Sequence, residues 1–84
     1  MTRFEAEQIK VWAELSVYSK KTWDILDEQY YISYDYYTGS IVYGCEKFRK
    51  YGTLHFPSAE AAQKAVEAVG EERVKMYYLN VGSF

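Results

Sequence analysis

Cys45 and His55 are the only cysteine and the only histidine in the chain. A thiol and an imidazole on neighbouring strands could form a nucleophile–base couple, the imidazole drawing the proton from the thiol. Such a couple needs a third group to orient the imidazole, and none is evident. No Gly-rich oxyanion loop surrounds either residue. One Cys and one His also fall short of the three or four ligands of a zinc site. Asp24, Asp27 and Glu28 lack the oxygen-ligand spacing of a calcium loop. Gly39, Gly44 and Gly52 are too scattered to cradle a phosphate. The expectation is a protein without catalysis, metal or cofactor.

Aromatic chemistry is far better supplied. Seven of the ten tyrosines lie close together: Tyr30, Tyr31, Tyr34, Tyr36, Tyr37, Tyr43 and Tyr51. Tyrosine couples a large stiff ring to a polar tip, so it serves a core on one side and an interface on the other. Two kinds of partner fit. Nucleic acid would use the rings to stack bases and Lys47, Arg49 and Lys50 to hold phosphates. The net charge of −2 opposes this, as do Asp24, Asp27, Glu28 and Asp35. A protein partner fits better. Tyr31, Asp35 and Tyr37 form the expected contact surface. Asp24, Asp27 and Glu28 would steer a basic partner towards it. Lys47, Arg49 and Lys50 are then a secondary basic patch.

The elements that must position these residues are readable in order. Thr2 and Glu5 have capping-box spacing and open a helix to about residue 20. Phe4, Val11, Leu15 and Tyr18 share its apolar stripe, with Trp12 at the edge and Gln8 an interruption. That stripe packs on a sheet or forms a homodimer seam. Residues 21–28 read as a connection holding Trp23, Ile25 and Leu26. From Gln29 to Tyr36 the residues alternate as in a strand. Tyr30, Ile32, Tyr34 and Tyr36 face one way, and Tyr31, Ser33, Asp35 and Tyr37 the other. Thr38-Gly39 supplies the turn, and Ile41 to Tyr43 form the returning strand. Residues 44–50 read as a loop or a second hairpin turn, and Thr53 to Phe56 as a third strand stopped by Pro57.

Ser58 caps a second helix, Ala59 to Val69, whose inner stripe is Ala62, Ala65, Val66 and Val69. Gly70 stops it. Glu71 to Tyr78 form a shorter helix, and Leu79 to Val81 a short terminal strand, with residues 82–84 fraying. The sum is one α+β domain over residues 1–84: an N-terminal helix, an antiparallel sheet of about three strands, then one long and one short helix.

Eighty-four residues allow one modest core. A lone cysteine rules out an internal disulfide, which suits a reducing cytoplasm. No apolar run approaches a membrane span. The N-terminus lacks the unbroken apolar stretch of a signal peptide.

The run Tyr30-Tyr31-Ile32-Ser33-Tyr34-Asp35 is followed by a G-x-x-x-F-x-S-x-E-x-A-x-x-A segment, here Gly52, Phe56, Ser58, Glu60, Ala62 and Ala65. A G-E-x-x-x-x-x-Y-Y tail follows in Gly70, Glu71, Tyr77 and Tyr78. This pattern resembles a family of small phage and prophage proteins and covers most of the chain. Its motifs are structural ones. The wider group of such proteins includes inhibitors of bacterial defence systems, anti-CRISPR proteins among them. The resemblance implies a host protein as partner, a CRISPR effector or another defence nuclease, met in the cytoplasm of an infected or lysogenic bacterium. Alternatives are a nucleic-acid-binding accessory protein or a phage assembly component.

Overall fold

Thr2 opens the first helix by a reciprocal cap. Its hydroxyl accepts from the Glu5 backbone N–H at 3.1 Å, and the Glu5 carboxylate accepts from the Thr2 N–H. The computed structural model describes residues 1–19, 28–47 and 53–81. In it α1 runs Arg3–Ser16, a turn shorter than the sequence pattern suggests. The Ser16 hydroxyl bonds the Ala13 carbonyl, and the following amides bond three residues back. That geometry tightens the chain and ends the helix. Val11 and Leu15 are wholly buried, and Tyr18 lies at the exposed end of the stripe.

Two antiparallel strands follow, β1 (Gln29–Asp35) and β2 (Ser40–Glu46). The register sets Tyr31 against Gly44, Ile32 against Tyr43 and Asp35 against Ser40. β2 therefore continues through Gly44, Cys45 and Glu46, where a loop was expected. Gly44 is tolerated because the Tyr31 ring occupies the space where its Cβ would stand. Aromatic cover of a strand glycine restores the packing the glycine itself lacks.

The third strand is reduced to one bridge. Phe56 and Tyr30 exchange both backbone hydrogen bonds, at 2.7 and 3.1 Å. The next pair on that edge would join Leu54 to Ile32. Instead the Leu54 N–H donates to the Tyr78 hydroxyl at 3.0 Å. On the other side Pro57 has no N–H, and Ser58 has become a helix cap. The ladder is closed off in both directions, leaving a two-stranded sheet.

The second helix, α2, spans Ala59–Val69 with the Ser58 hydroxyl accepting from Ala61 N–H. Its inner face is Ala62, Ala65, Val66 and Val69, all buried. Gly70, at φ 105°, breaks it in a conformation other residues rarely adopt. A short α3 (Glu71–Arg73) passes into a π turn at Val74–Tyr78. The Leu79 N–H reaches back to the Val74 carbonyl and the Val81 N–H to the Lys75 carbonyl. Asn80 closes this widened turn at φ 57°, the left-handed position that asparagine tolerates at helix ends. The expected strand at Leu79–Val81 is therefore a helix cap.

The core lies between α1, α2 and one face of the hairpin. Val11, Leu15, Ile32, Phe56, Val66, Val69 and Val74 form it with the α2 alanines. Tyr30, Ile41 and Tyr43 flank it from the sheet. This is the α+β architecture expected. No helix among the described residues is long and apolar enough to cross a membrane.

Candidate binding surface

The hairpin turn is built around Asp35. Its carbonyl accepts from Gly39 N–H at 2.8 Å, and its carboxylate accepts from Tyr37 N–H at 2.9 Å. Gly39 takes φ 72° to complete the loop. An aspartate that bonds the backbone two residues ahead is the standard way to stiffen such a turn. Tyr36 and Tyr37 project from it, 78% and 100% exposed. Tyr36 was expected to join the inward set. It lies in the turn rather than in β1, so strand alternation no longer governs it. Its ring stands edge-on to Tyr34, centroids 5.0 Å apart at 80°. The two outer tyrosines are thus held on a braced tip.

The other named residues are distributed along the hairpin. Tyr31 lies four positions back in β1, half-buried over Gly44. Asp35 and Tyr37 come together; Tyr31 does not reach the tip. Glu28 is exposed just before β1, and Lys47 is exposed just after β2. The register carries both to the open end of the hairpin, roughly 20 Å from the tyrosine tip at strand rise. The acid and the base there offset one another. Asp24, Asp27, Arg49 and Lys50 lie outside the described residues, as do Trp23, Ile25, Leu26 and Tyr51.

The face expected to be wet is partly closed. Gln29 is 1% exposed, and beside it His55 is buried with its Nε2 3.3 Å from Glu46 Oε1. Cys45 belongs to the opposite face, since neighbours in a strand alternate. The Cys45 thiol and the His55 ring therefore point to different sides of the sheet. Cys45 is exposed, but partial desolvation and the Glu28 carboxylate push its pKa up, away from the thiolate. The Tyr30 hydroxyl, beside Cys45 and 3.4 Å from Glu28, is likewise shifted up. Among the described residues no three His, Cys, Asp or Glu side chains converge as metal ligands.

A second surface was not legible in the residue pattern. The Phe4, Gln8 and Trp12 positions of α1 meet the C-terminal turn as three rungs. Phe4 packs on Tyr77 with ring centroids 5.2 Å apart, and Trp12 on Tyr78 at 5.6 Å. Between them Gln8 Nε2 donates to Asn80 Oδ1 at 3.0 Å. Residues four apart on a helix share one face, so the residue read as an interruption is the middle rung. Among the described residues, Gln8, Trp12, Tyr77, Tyr78 and Asn80 of these rungs line a cleft of about 400 Å³ together with Ile32, Thr53 and Leu79. Burial of the Tyr78 hydroxyl raises its pKa, opposed by the hydrogen bond from Leu54.

Arg73 fastens α1 to the C-terminal region. Its guanidinium donates to both Glu14 carboxylate oxygens, at 2.6 and 3.2 Å, and to the Val69 carbonyl at 3.1 Å. The Arg73 hydrogen bonds hold the Glu14 pKa down. Lys75 pairs with Glu71 at 3.2 Å. No protein-family model, no curated protein and no solved structure matches this chain.

Proposed function

We propose that this chain is a non-catalytic, phage-type protein that acts by binding a protein of its bacterial host. The target class is a nucleic-acid-handling defence effector, inhibited by occupation of a basic surface in the host cytoplasm. The observation that carries the reading is the hairpin tip. Two tyrosines, 78% and 100% exposed, stand on a turn stiffened by Asp35. The Tyr37 ring adds no packing to the fold, and the Tyr36 ring keeps only its edge-on contact with Tyr34. On a rigid tip they are ready to bury, and little entropy is lost on docking. Asp35 adds negative charge at their base, which favours a basic partner.

Nucleic acid is the weaker alternative. Stacking rings and phosphate-binding cations must lie together to hold one strand. Lys47 sits at the other end of the hairpin from Tyr36 and Tyr37.

Affinity capture tests the reading. The wild-type chain and a Tyr36→Ala/Tyr37→Ala variant are used as baits in a lysate of a host bacterium. A nucleic-acid-handling protein retained by the first and lost by the second is the expected result. Retention of the same proteins by both baits, or capture of nucleic acid alone, would overturn it.

A further inference from the structure

β2 presents an open edge. Tyr30 uses its backbone N–H and C=O on Phe56, so Tyr30 and Cys45 face each other as a non-hydrogen-bonded pair. Bonding direction alternates along a strand. The backbone groups of Ile41, Tyr43 and Cys45 therefore point away from β1, and among the described residues nothing bonds them. An edge of this kind templates another strand unless lysine, proline or a bulge guards it. β2 has none of the three. Its register with β1 is unbroken from Ser40 to Glu46, and its one charge is at the end, on Glu46.

The strand is complementary to itself. A two-fold axis at Tyr43 sets two copies of β2 antiparallel over all 7 residues. Ile41 then pairs with Cys45 and Tyr43 with Tyr43, so each outward-pointing residue meets another and exchanges both backbone bonds. Glu46 falls opposite Ser40, and no charge faces a like charge directly. Val42 lies on the face away from the core and is 39% exposed. It falls opposite Gly44 of the second copy, the position over which the Tyr31 ring lies. Its methyls there gain an aromatic ring to pack on. Both halves of the contact, the exposed valine and the covered glycine, belong to this chain, and a symmetric pairing uses each twice. That selects a second copy over a foreign strand.

We propose that this chain forms a two-fold homodimer by pairing β2 with β2 across Tyr43, which joins the two hairpins into one antiparallel sheet. The tyrosine tips then stand at opposite ends of that sheet, so the dimer is independent of the host-protein reading and is tested without a host. Glu67 and Glu71 lie near Tyr43 and approach their counterparts across the axis, so moderate salt is included to screen them. The full chain is followed by sedimentation equilibrium up to about 1 mM, where even a weak interface assembles. The mass is expected to double. Amide exchange at Ile41, Tyr43 and Cys45 should slow with concentration, while that at Val42, already bonded to β1, stays as it was. A sample mixing labelled and unlabelled copies should show an NOE from the Val42 methyls to the Tyr31 ring of the other copy. Cys45→Pro removes an outward N–H and leaves the bonds to β1; Val42→Lys puts a charge at the seam. Each should still melt cooperatively and weaken the dimer at least about tenfold. A monomer at every concentration overturns the proposal. So does a dimer whose Ile41, Tyr43 and Cys45 amides still exchange freely, one whose cross-copy NOEs fall on Ile9 or Trp12 of α1, or undiminished assembly by both folded variants.

Discussion

The Asp35 carboxylate accepts a hydrogen bond from the Tyr37 backbone N–H at 2.9 Å. This single contact separates the role of the acid from that of the ring. Asp35 shapes the turn through the Tyr37 backbone, while the Tyr37 ring is fully exposed. Removing the charge and removing the acceptor are then different experiments. Asp35→Asn keeps an oxygen for Tyr37 and loses the charge, whereas Asp35→Ala loses both. We predict that Asp35→Asn leaves the melting temperature within about 2–4 °C (about 0.5 kcal/mol or less). Against a basic protein partner it should lower the association rate, most clearly at low salt. Asp35→Ala should lower stability as well, by about 1 kcal/mol. Stopped-flow association and thermal melts distinguish the three proteins. A faster association of Asp35→Asn would indicate an anionic partner.

Gly44 and Tyr31 form a coupled pair across the strands. A Cβ at position 44 would enter the Tyr31 ring. Gly44→Ala should destabilise the chain by about 1–3 kcal/mol, the usual cost of overpacking. In the background of Tyr31→Ala the same change should cost much less. A double-mutant cycle by urea denaturation measures this, and simple additivity would refute the packing.

Tyr78 links stability to alkaline pH. Burial raises its folded pKa above that of the unfolded chain. A raised folded pKa means the neutral form is preferred by the fold. Its contribution is complete below the ordinary tyrosine range and is lost as pH rises through the folded value. Tyr78→Phe should lessen this alkaline loss. It should also cost about 1–3 kcal/mol at neutral pH, since the Leu54 N–H loses its acceptor. Urea melts across the alkaline range test both parts; an unchanged neutral-pH midpoint would contradict the assigned hydrogen bond.

Glu14 behaves in the opposite sense. Arg73 holds its folded pKa below the unfolded value. Its contribution is present above the ordinary carboxylate range and is lost as pH falls through the depressed value. Arg73→Met should flatten that acid-side loss of stability, measured as the melting temperature against pH. Glu14→Gln should flatten it by a similar amount, because the two changes break one contact. Distinct profiles for the two variants would argue against a shared bond.

Much of this fold was legible from neighbours in sequence. Thr2 with Glu5, Ser58 after Pro57, the alanine stripe of α2 and the stop at Gly70 all act within a few residues, so local chemistry identifies them. The errors fall where a distant group intervened. Nothing near Leu54 says that its N–H will turn from Ile32 to the Tyr78 hydroxyl, so a third strand was expected. Nothing near Gly44 says that Tyr31 will cover it, so a glycine in β2 read as a loop. The same holds for the surfaces. Asp35 and Tyr37 were expected together on the outer face of a strand, with Tyr31; they meet instead through the turn that follows β1. Tyr36 was misassigned because strand alternation was carried one residue past the end of β1. Gln8 and Asn80 meet only through the folded chain, and each alone looks like ordinary surface.

The claim that binding resides in the tyrosine tip is tested most directly by one measurement. The affinity of purified Tyr37→Ala for the captured partner is determined beside its thermal melt. The ring makes no packing contact that its 100% exposure would permit, so the melt should match wild type. The dissociation constant should rise at least about tenfold, or ~1.4 kcal/mol, as for an interface anchor. An unchanged dissociation constant in the folded variant would contradict the account.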